Sequence, residues 1–179
     1  MLAIFLKTVP FFALIGLGYC AARIRFFPEA ATAALTKFVF YFALSAMLFR
    51  FSASLSIAAI FDARLAAAYL AGTLAVYLVA TGAAVLRRQD LQTAAIEAQT
   101  ASIGNTGFLG LPMLALLLGE AAVAPIILML SIDLIVFASL LVILVTVARE
   151  GRMSLGIFAT IGAGLVKNPM IVSLSLIHI

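Results

Sequence analysis

Charged and reactive side chains are scarce in this chain of 179 residues. Only 10% of the residues are charged, and there is a single cysteine, Cys20, and a single histidine, His178. One cysteine excludes an intrachain disulfide and a metal site built from cysteines. No pair of acids lies within an apolar segment either, so we find no catalytic constellation and expect neither enzymatic activity nor a bound metal or cofactor.

Apolar residues dominate the composition instead. They make up 66% of the chain, whereas a soluble domain is about half apolar. A soluble protein of this length would have to expose wide apolar patches. The formal net charge of +4 is spread between apolar runs rather than gathered in one basic patch, which argues against nucleic acid as a partner. The expected surroundings are therefore a lipid bilayer.

Five apolar runs are long enough to cross a bilayer as helices, which takes about 20 residues. We expect them at roughly 2–22, 33–51, 65–86, 96–119 and 122–148. Arg23 and Arg25 follow the first run where a signal-peptide cleavage site carries small residues, so we expect that run to be retained. The predicted fold is an all-α membrane protein with five transmembrane helices and the start of a sixth.

Three segments are expected along the chain. Residues 1–148 form the five-helix transmembrane unit, and residues 149–168 form a cytoplasmic or interfacial linker. Residues 169–179 begin a sixth helix, because Pro169 suits a first helical turn. This last segment has about half the length that a span needs, so we expect a truncated helix there.

Basic residues predict the orientation. One side of the membrane would collect eight of them, namely Arg23, Arg25, Lys37, Arg87, Arg88, Arg149, Arg152 and Lys167, while Lys7, Arg50 and Arg64 lie on the other side. Basic loops remain in the cytoplasm. The sequence therefore predicts a multi-pass protein of the inner (plasma) membrane with its N-terminus outside the cytoplasm.

The fourth run contains a cluster of helix-disrupting residues. Proline removes a backbone hydrogen bond and glycine weakens a helix, so we expect a break there. Non-helical backbone at membrane depth frees peptide groups that bind ions and substrates. The candidate substrate-binding residues are Gly104, Asn105, Thr106, Gly107, Gly110 and Pro112. Alternatively, the glycines permit close helix packing and the proline only kinks the helix.

Asp133 is an acid near the middle of the fifth run. Intramembrane acids usually face the bundle interior and serve ion or proton movement, so Asp133 is a candidate for ion or proton coupling. The structural alternative is a protonated Asp133 bonded to Ser131 or to a neighbouring helix.

Four motifs resemble the auxin efflux carrier family, which includes plant PIN-formed auxin exporters and bacterial carriers of malate or malonate. They are Gly16-Leu17-Gly18-Tyr19, residues 37–44, residues 104–112 and Lys167-Asn168-Pro169. The resemblance runs over about residues 2–171 and implies ten helices in two inverted five-helix repeats, with the fourth and ninth helices broken and crossing at the site. This chain would hold one repeat, and Asn105 and Pro112 would contact or shape the anion site.

Two features depart from that family pattern. Ser45 stands where the family motif has a proline, which bears on the geometry of the second helix. The sequence also contains no second repeat, so a crossing of two broken helices cannot form within it.

These observations predict a secondary transporter, or permease, that moves a small organic anion such as a dicarboxylate by alternating access. The alternative is a membrane anchor or interaction module without transport activity, because alanine-rich and glycine-rich faces also serve helix pairing. Coupling to protons or sodium ions, and assembly as a homodimer, remain open at this point.

Overall fold

A computed structural model describes residues 2–53, 55, 60–151 and 156–175, and most of these residues are helical. No strand occurs in this part of the chain. Five helical stretches in it are long and apolar enough to cross a membrane, and we number them as the first to fifth spans: Leu2–Arg23, Glu29–Ala53, Ala63–Leu86, Leu91–Leu118 and Glu120–Arg149. The predicted all-α fold with five spans is confirmed. Arg152 and residues 176–179 of the expected sixth helix lie outside the described residues.

The fourth span begins earlier than the sequence predicted. The carboxylate of Asp90 accepts a hydrogen bond from the Thr93 N–H at 2.8 Å and so caps a helix that starts at Leu91. A side-chain cap of this kind satisfies a backbone donor that the first helical turn leaves free. The apolar run alone missed this start because Gln92 and Thr93 interrupt it.

Small residues bring the third span close to the first half of the fourth. These two helices pack together, and Ala84 on the third span and Ala94, Ala95 and Ala98 on the fourth are all at most 1% exposed. Side chains this small let two helices approach closely in a membrane. The fifth span packs against the same half, where the Arg149 Nε–H donates to the Gln92 side-chain oxygen at 3.3 Å.

Three spans contain a wide π-helical turn, and the three turns meet. They cover Val39–Leu44 in the second span, Thr106–Gly110 in the fourth and Asp133–Phe137 in the fifth. The ring of Phe40 stacks on that of Phe108 with centroids 6.4 Å apart, and Thr106 is hydrogen-bonded to Asp133. Such turns are frequent at functional sites.

Ser45 fits the second span without a proline. Its hydroxyl donates to the Phe40 carbonyl at 3.1 Å, five residues back in the wide turn. In the wide turn, the Phe40 carbonyl lies away from the N–H group that it would accept in a regular helix. The Ser45 hydroxyl supplies a hydrogen bond to it instead.

The main apolar core lies where the second, fourth and fifth spans meet. Its buried members are Leu44, Leu48, Leu111, Val123, Ile126, Ile127, Leu130 and Met170. Met170 belongs to the helix Pro169–Ser175, which begins at Pro169 as expected and packs against the second span. It meets the preceding helix, Gly156–Lys167, at an angle of 68°, so the segment expected as a linker itself contains a helix.

Candidate functional site

The fourth span is broken near its middle. Its first half ends at Ser102, the backbone at Ile103 is extended, and Gly104 and Asn105 are also non-helical. The chain then enters the wide turn Thr106–Gly110 and the helix Leu111–Leu118. The predicted broken fourth helix is thus confirmed, with the interruption at Gly104 and Asn105.

Asn105 starts the second half of the fourth span. Its side-chain oxygen accepts the Phe108 N–H at 3.1 Å, and its backbone carbonyl accepts the N–H groups of Leu109 and Gly110 at 3.2 and 2.9 Å. The side chain is exposed, and its NH₂ group has no partner among the described residues. The Asn105 NH₂ group is therefore free to donate a hydrogen bond to a ligand. The side-chain and backbone oxygens of Asn105 stabilise the start of the wide turn.

Two backbone donors lie beside this amide. The N–H groups of Thr106 and Gly107 donate to no acceptor in the described part of the chain. Free N–H groups of a first helical turn carry the positive end of the helix dipole and favour an anion. The break therefore supplies donors of the kind that bind a carboxylate, without a basic side chain.

A groove of about 350 Å³ opens at the break. Its polar end is formed by Tyr69, Gly104, Asn105 and Thr106, and the rest of its wall by Leu109, Gly110, Met113, Leu114, Ile126 and Met129. None of these described lining residues carries a formal charge. A groove with one polar end and an apolar remainder suits a small organic molecule with an anionic group.

Asp133 lies behind this groove and is only 4% exposed. One carboxylate oxygen accepts the Tyr69 hydroxyl at 2.8 Å and the other accepts the Thr106 hydroxyl at 3.1 Å. A carboxyl group at this depth is costly unless it is paired or hydrogen-bonded. Asp133 thus joins the third span, the break of the fourth span and the fifth span in one network.

Ser131 is not part of this network. Its hydroxyl donates to the Ile127 carbonyl within the fifth span at 2.7 Å. The sequence analysis left two partners open for Asp133, namely Ser131 or a neighbouring helix. The observed hydrogen bonds are to neighbouring spans.

The candidate residues of the fourth span do not all face the groove. Gly107 is buried, and a Cβ placed there would lie 3.1 Å from the terminal methyl carbon of Met170. Pro112 lines a separate groove of about 160 Å³ against Met47 and other residues of the second span. Asn105 and Pro112 would share a face only on a continuous helix, and the break and the wide turn separate them. Gly107 therefore serves packing, as the alternative interpretation proposed.

Tyr69 was missed by the sequence analysis. It belongs to a row of polar-tipped residues spaced four apart along the third span: Tyr69, Thr73, Tyr77 and Thr81. All four are buried or half-buried, whereas most of this span is exposed. Residues four apart share a helix face, so this spacing was the signal that could have found Tyr69.

Comparison with known proteins places this architecture in a family. The profile of the family described as "Membrane transport protein" matches residues 3–169. The chain belongs to this family, and the resemblance to the auxin efflux carriers is confirmed. It is thus a multi-pass protein of a membrane transport class.

A curated relative comes from Rhizobium meliloti (strain 1021) and bears the name "Putative malonate transporter". It is 31% identical over 120 residues, which cover 66% of this chain and 38% of the relative. The chain thus corresponds to less than half of that relative's length. No solved structure matches the chain significantly.

Proposed function

We propose that this chain supplies one five-helix repeat of a secondary transporter that moves a small organic anion, such as a dicarboxylate, across the inner membrane by alternating access. The observation that carries the proposal is the break at Gly104 and Asn105, which opens into a groove with unpaired donors. Broken spans at the bilayer midplane form the substrate sites of many secondary transporters. The name of the curated relative makes malonate the first substrate to test.

The anion would bind at the polar end of the groove. The Asn105 NH₂ group and the Thr106 N–H would donate to one carboxylate, and the apolar wall would face the hydrocarbon part of the substrate. Gly104 and Gly110 leave room for the substrate to approach the backbone, while Gly107 and Pro112 support the break from its packed sides. The Thr106 hydroxyl stays with Asp133, so Thr106 serves the substrate through its backbone.

Asp133 is the group through which a coupling ion would act. Protonation of its carboxyl would remove one of the two acceptors that Tyr69 and Thr106 use. When the proton is on the oxygen that accepts the Thr106 hydroxyl, the break in the fourth span would lose this bond to the fifth span, which links ion binding to movement of the site. We place protons first, because two hydroxyl donors already occupy the carboxylate oxygens that a sodium ion would need.

The eight basic residues on one side favour an N-terminus outside the cytoplasm. A cysteine in place of the exposed Gln89, between the third and fourth spans, would then react only with a thiol reagent supplied from the cytoplasmic side. On this proposal a complete transport cycle needs a second repeat, and we call a carrier that contains both repeats the intact carrier.

Substitutions of Asn105 test the proposed anion site in the intact carrier. Asn105→Asp keeps an oxygen for the Phe108 N–H but replaces the outward donor with negative charge. Asn105→Ser keeps a capping oxygen and replaces the outward NH₂ group with a shorter hydroxyl, which offers one donor closer to the backbone. A hydrogen bond to a charged group contributes about 1.5–3 kcal/mol, so initial malonate uptake should fall about tenfold in the serine variant and about a hundredfold in the aspartate variant.

Thr100→Ala is the matched control, because this exposed threonine lies on the same span and its hydroxyl donates within the helix to the Ile96 carbonyl. It should retain the uptake of the unchanged protein. Full uptake by the Asn105→Asp variant would remove Asn105 from the anion site, and loss of uptake in all three variants would point to a general folding defect.

A further inference from the structure

A second groove lies between the first and second spans, away from the broken helix. It is open, with a volume of about 710 Å³, and its lining is Ala22, Phe27, Glu29, Thr32, Ala33, Thr36 and Lys37. The first span packs chiefly against the second half of the fourth span, so the groove is not closed by contact between its own two walls. Because both of its walls belong to spans, we expect the groove to open toward lipid.

Lys37 is the unusual residue of this groove. It lies eight residues beyond Glu29, the first residue of the second span, which corresponds to about 12 Å along a helix axis. The Lys37 side chain is exposed and forms no ion pair in the described part of the chain. A lysine at this depth is costly unless its charge reaches water or an anion.

The hydroxyls beside Lys37 are already in use. Thr36 donates to the Thr32 carbonyl at 2.9 Å, and Thr32 donates to the Pro28 carbonyl at 3.5 Å. Because both hydroxyls already donate to carbonyls, the Lys37 ammonium is the side-chain donor available to an anion inside the groove.

We call the chain segment between the lining residues Ala22 and Phe27 the mouth of the groove, and it carries positive charge and aromatic rings. Arg23 ends the first span and Arg25 lies in the short connection after it, and neither forms an ion pair with a described residue. Phe26 and Phe27 follow, with their rings edge to face at 5.1 Å, and Phe26 is 71% exposed. Aromatic rings at a membrane interface sit at the level of the headgroups. Glu29 is the one acid among the lining residues, so Lys37 inside the groove and the two arginines beside it leave an excess of positive charge.

We propose that this groove binds an anionic phospholipid, with the phosphate between Lys37 and the arginines of the mouth and an acyl chain along the first span. A membrane lipid fits better than a soluble anion because the groove opens sideways and Lys37 lies below the membrane surface. Basic pockets between transmembrane helices bind anionic headgroups in this way. The site is separate from the proposed transport groove and does not depend on it.

Native mass spectrometry of the 179-residue chain tests this proposal. The chain in detergent would be offered phosphatidylglycerol and phosphatidylcholine with identical acyl chains. We expect preferential retention of phosphatidylglycerol, a loss of about fivefold in Lys37→Gln and near-normal retention in Lys37→Arg. Glu29→Gln should increase retention, because it removes the only negative charge among the lining residues, and a general folding defect would not produce that gain.

Lys167→Gln is the control, since it removes an exposed basic residue outside the groove and should leave phosphatidylglycerol binding unchanged. Equal retention of the two lipids by the unchanged chain would overturn the proposal, as would equal losses in Lys37→Gln and Lys167→Gln. Displacement of the lipid by millimolar inorganic phosphate would also overturn it and would indicate a site for a soluble anion.

Discussion

Malonate uptake by the intact carrier is expected to fall about tenfold to about a hundredfold when Asp133 is replaced by asparagine. The carboxylate accepts one hydroxyl on each oxygen, whereas a neutral amide offers a single acceptor oxygen and no charge, so both charge-assisted bonds are lost or weakened. Hydrogen bonds to a charged group contribute about 1.5–3 kcal/mol each, and that free energy would no longer hold the break in its bound geometry. Initial rates in proteoliposomes measure the effect.

The response of uptake to a pH gradient shows whether Asp133 couples transport to protons or only supports the fold. If Asp133 carries the coupling proton, an imposed pH gradient should drive the unchanged carrier and have little effect on the Asp133→Asn variant. Glu120→Gln is the control, because Glu120 is an exposed acid at the start of the same span, and its uptake should stay normal. An Asp133→Asn variant that keeps normal, gradient-driven uptake would exclude Asp133 from coupling.

The second large effect is expected at Gly107, through the stability of the fold. A Cβ at this position would lie 3.1 Å from the terminal methyl carbon of Met170 and within 3.7 Å of both Leu130 and Leu44. Alanine requires only that the flexible end of Met170 moves, whereas the branched side chain of Gly107→Val overfills the core. Overpacking of this kind costs about 1–3 kcal/mol, which unfolding of the chain in mixed detergent micelles should report.

Gly104→Ala provides the matched control, because a Cβ there meets no atom within 4 Å and the backbone φ is not positive. It should leave the free energy of unfolding nearly unchanged. Adding Met170→Ala to Gly107→Val should recover part of the lost stability. Equal losses for Gly104→Ala and Gly107→Val would contradict the distinction between a packed and an open face.

Most of the fold could be predicted because its signals are local. A membrane helix needs a long apolar run, and the five runs are separated by charged residues, so span number followed from the sequence. The break followed from the crowding of glycines around Asn105, since each weakens a helix independently of its neighbours. The start at Leu91 was missed because a cap by Asp90 can begin a helix before its apolar part.

The candidate site was less predictable because it depends on packing between spans. The nine residues from Gly104 to Pro112 look like one motif, yet the break turns Asn105 toward the groove and Pro112 toward the second span. Gly107 packs against Met170, which is more than 60 residues away in sequence. The local sequence therefore does not show which side of the span is packed at Gly107. The pairing of Tyr69 with Asp133 likewise joins separate spans, and only the four-residue spacing of the row hinted at it.

The most direct test of the central claim is the solvent access of residue 104 in the intact carrier. With the exposed Cys20 replaced by serine, a cysteine at Gly104 should react with a membrane-impermeant thiol reagent, and malonate should slow that reaction. A cysteine at Leu116, an exposed apolar position on the second half of the same span, should remain unreactive. If the cysteine at 104 is as unreactive as the one at 116, or reacts at the same rate with and without malonate, the break does not form the anion site.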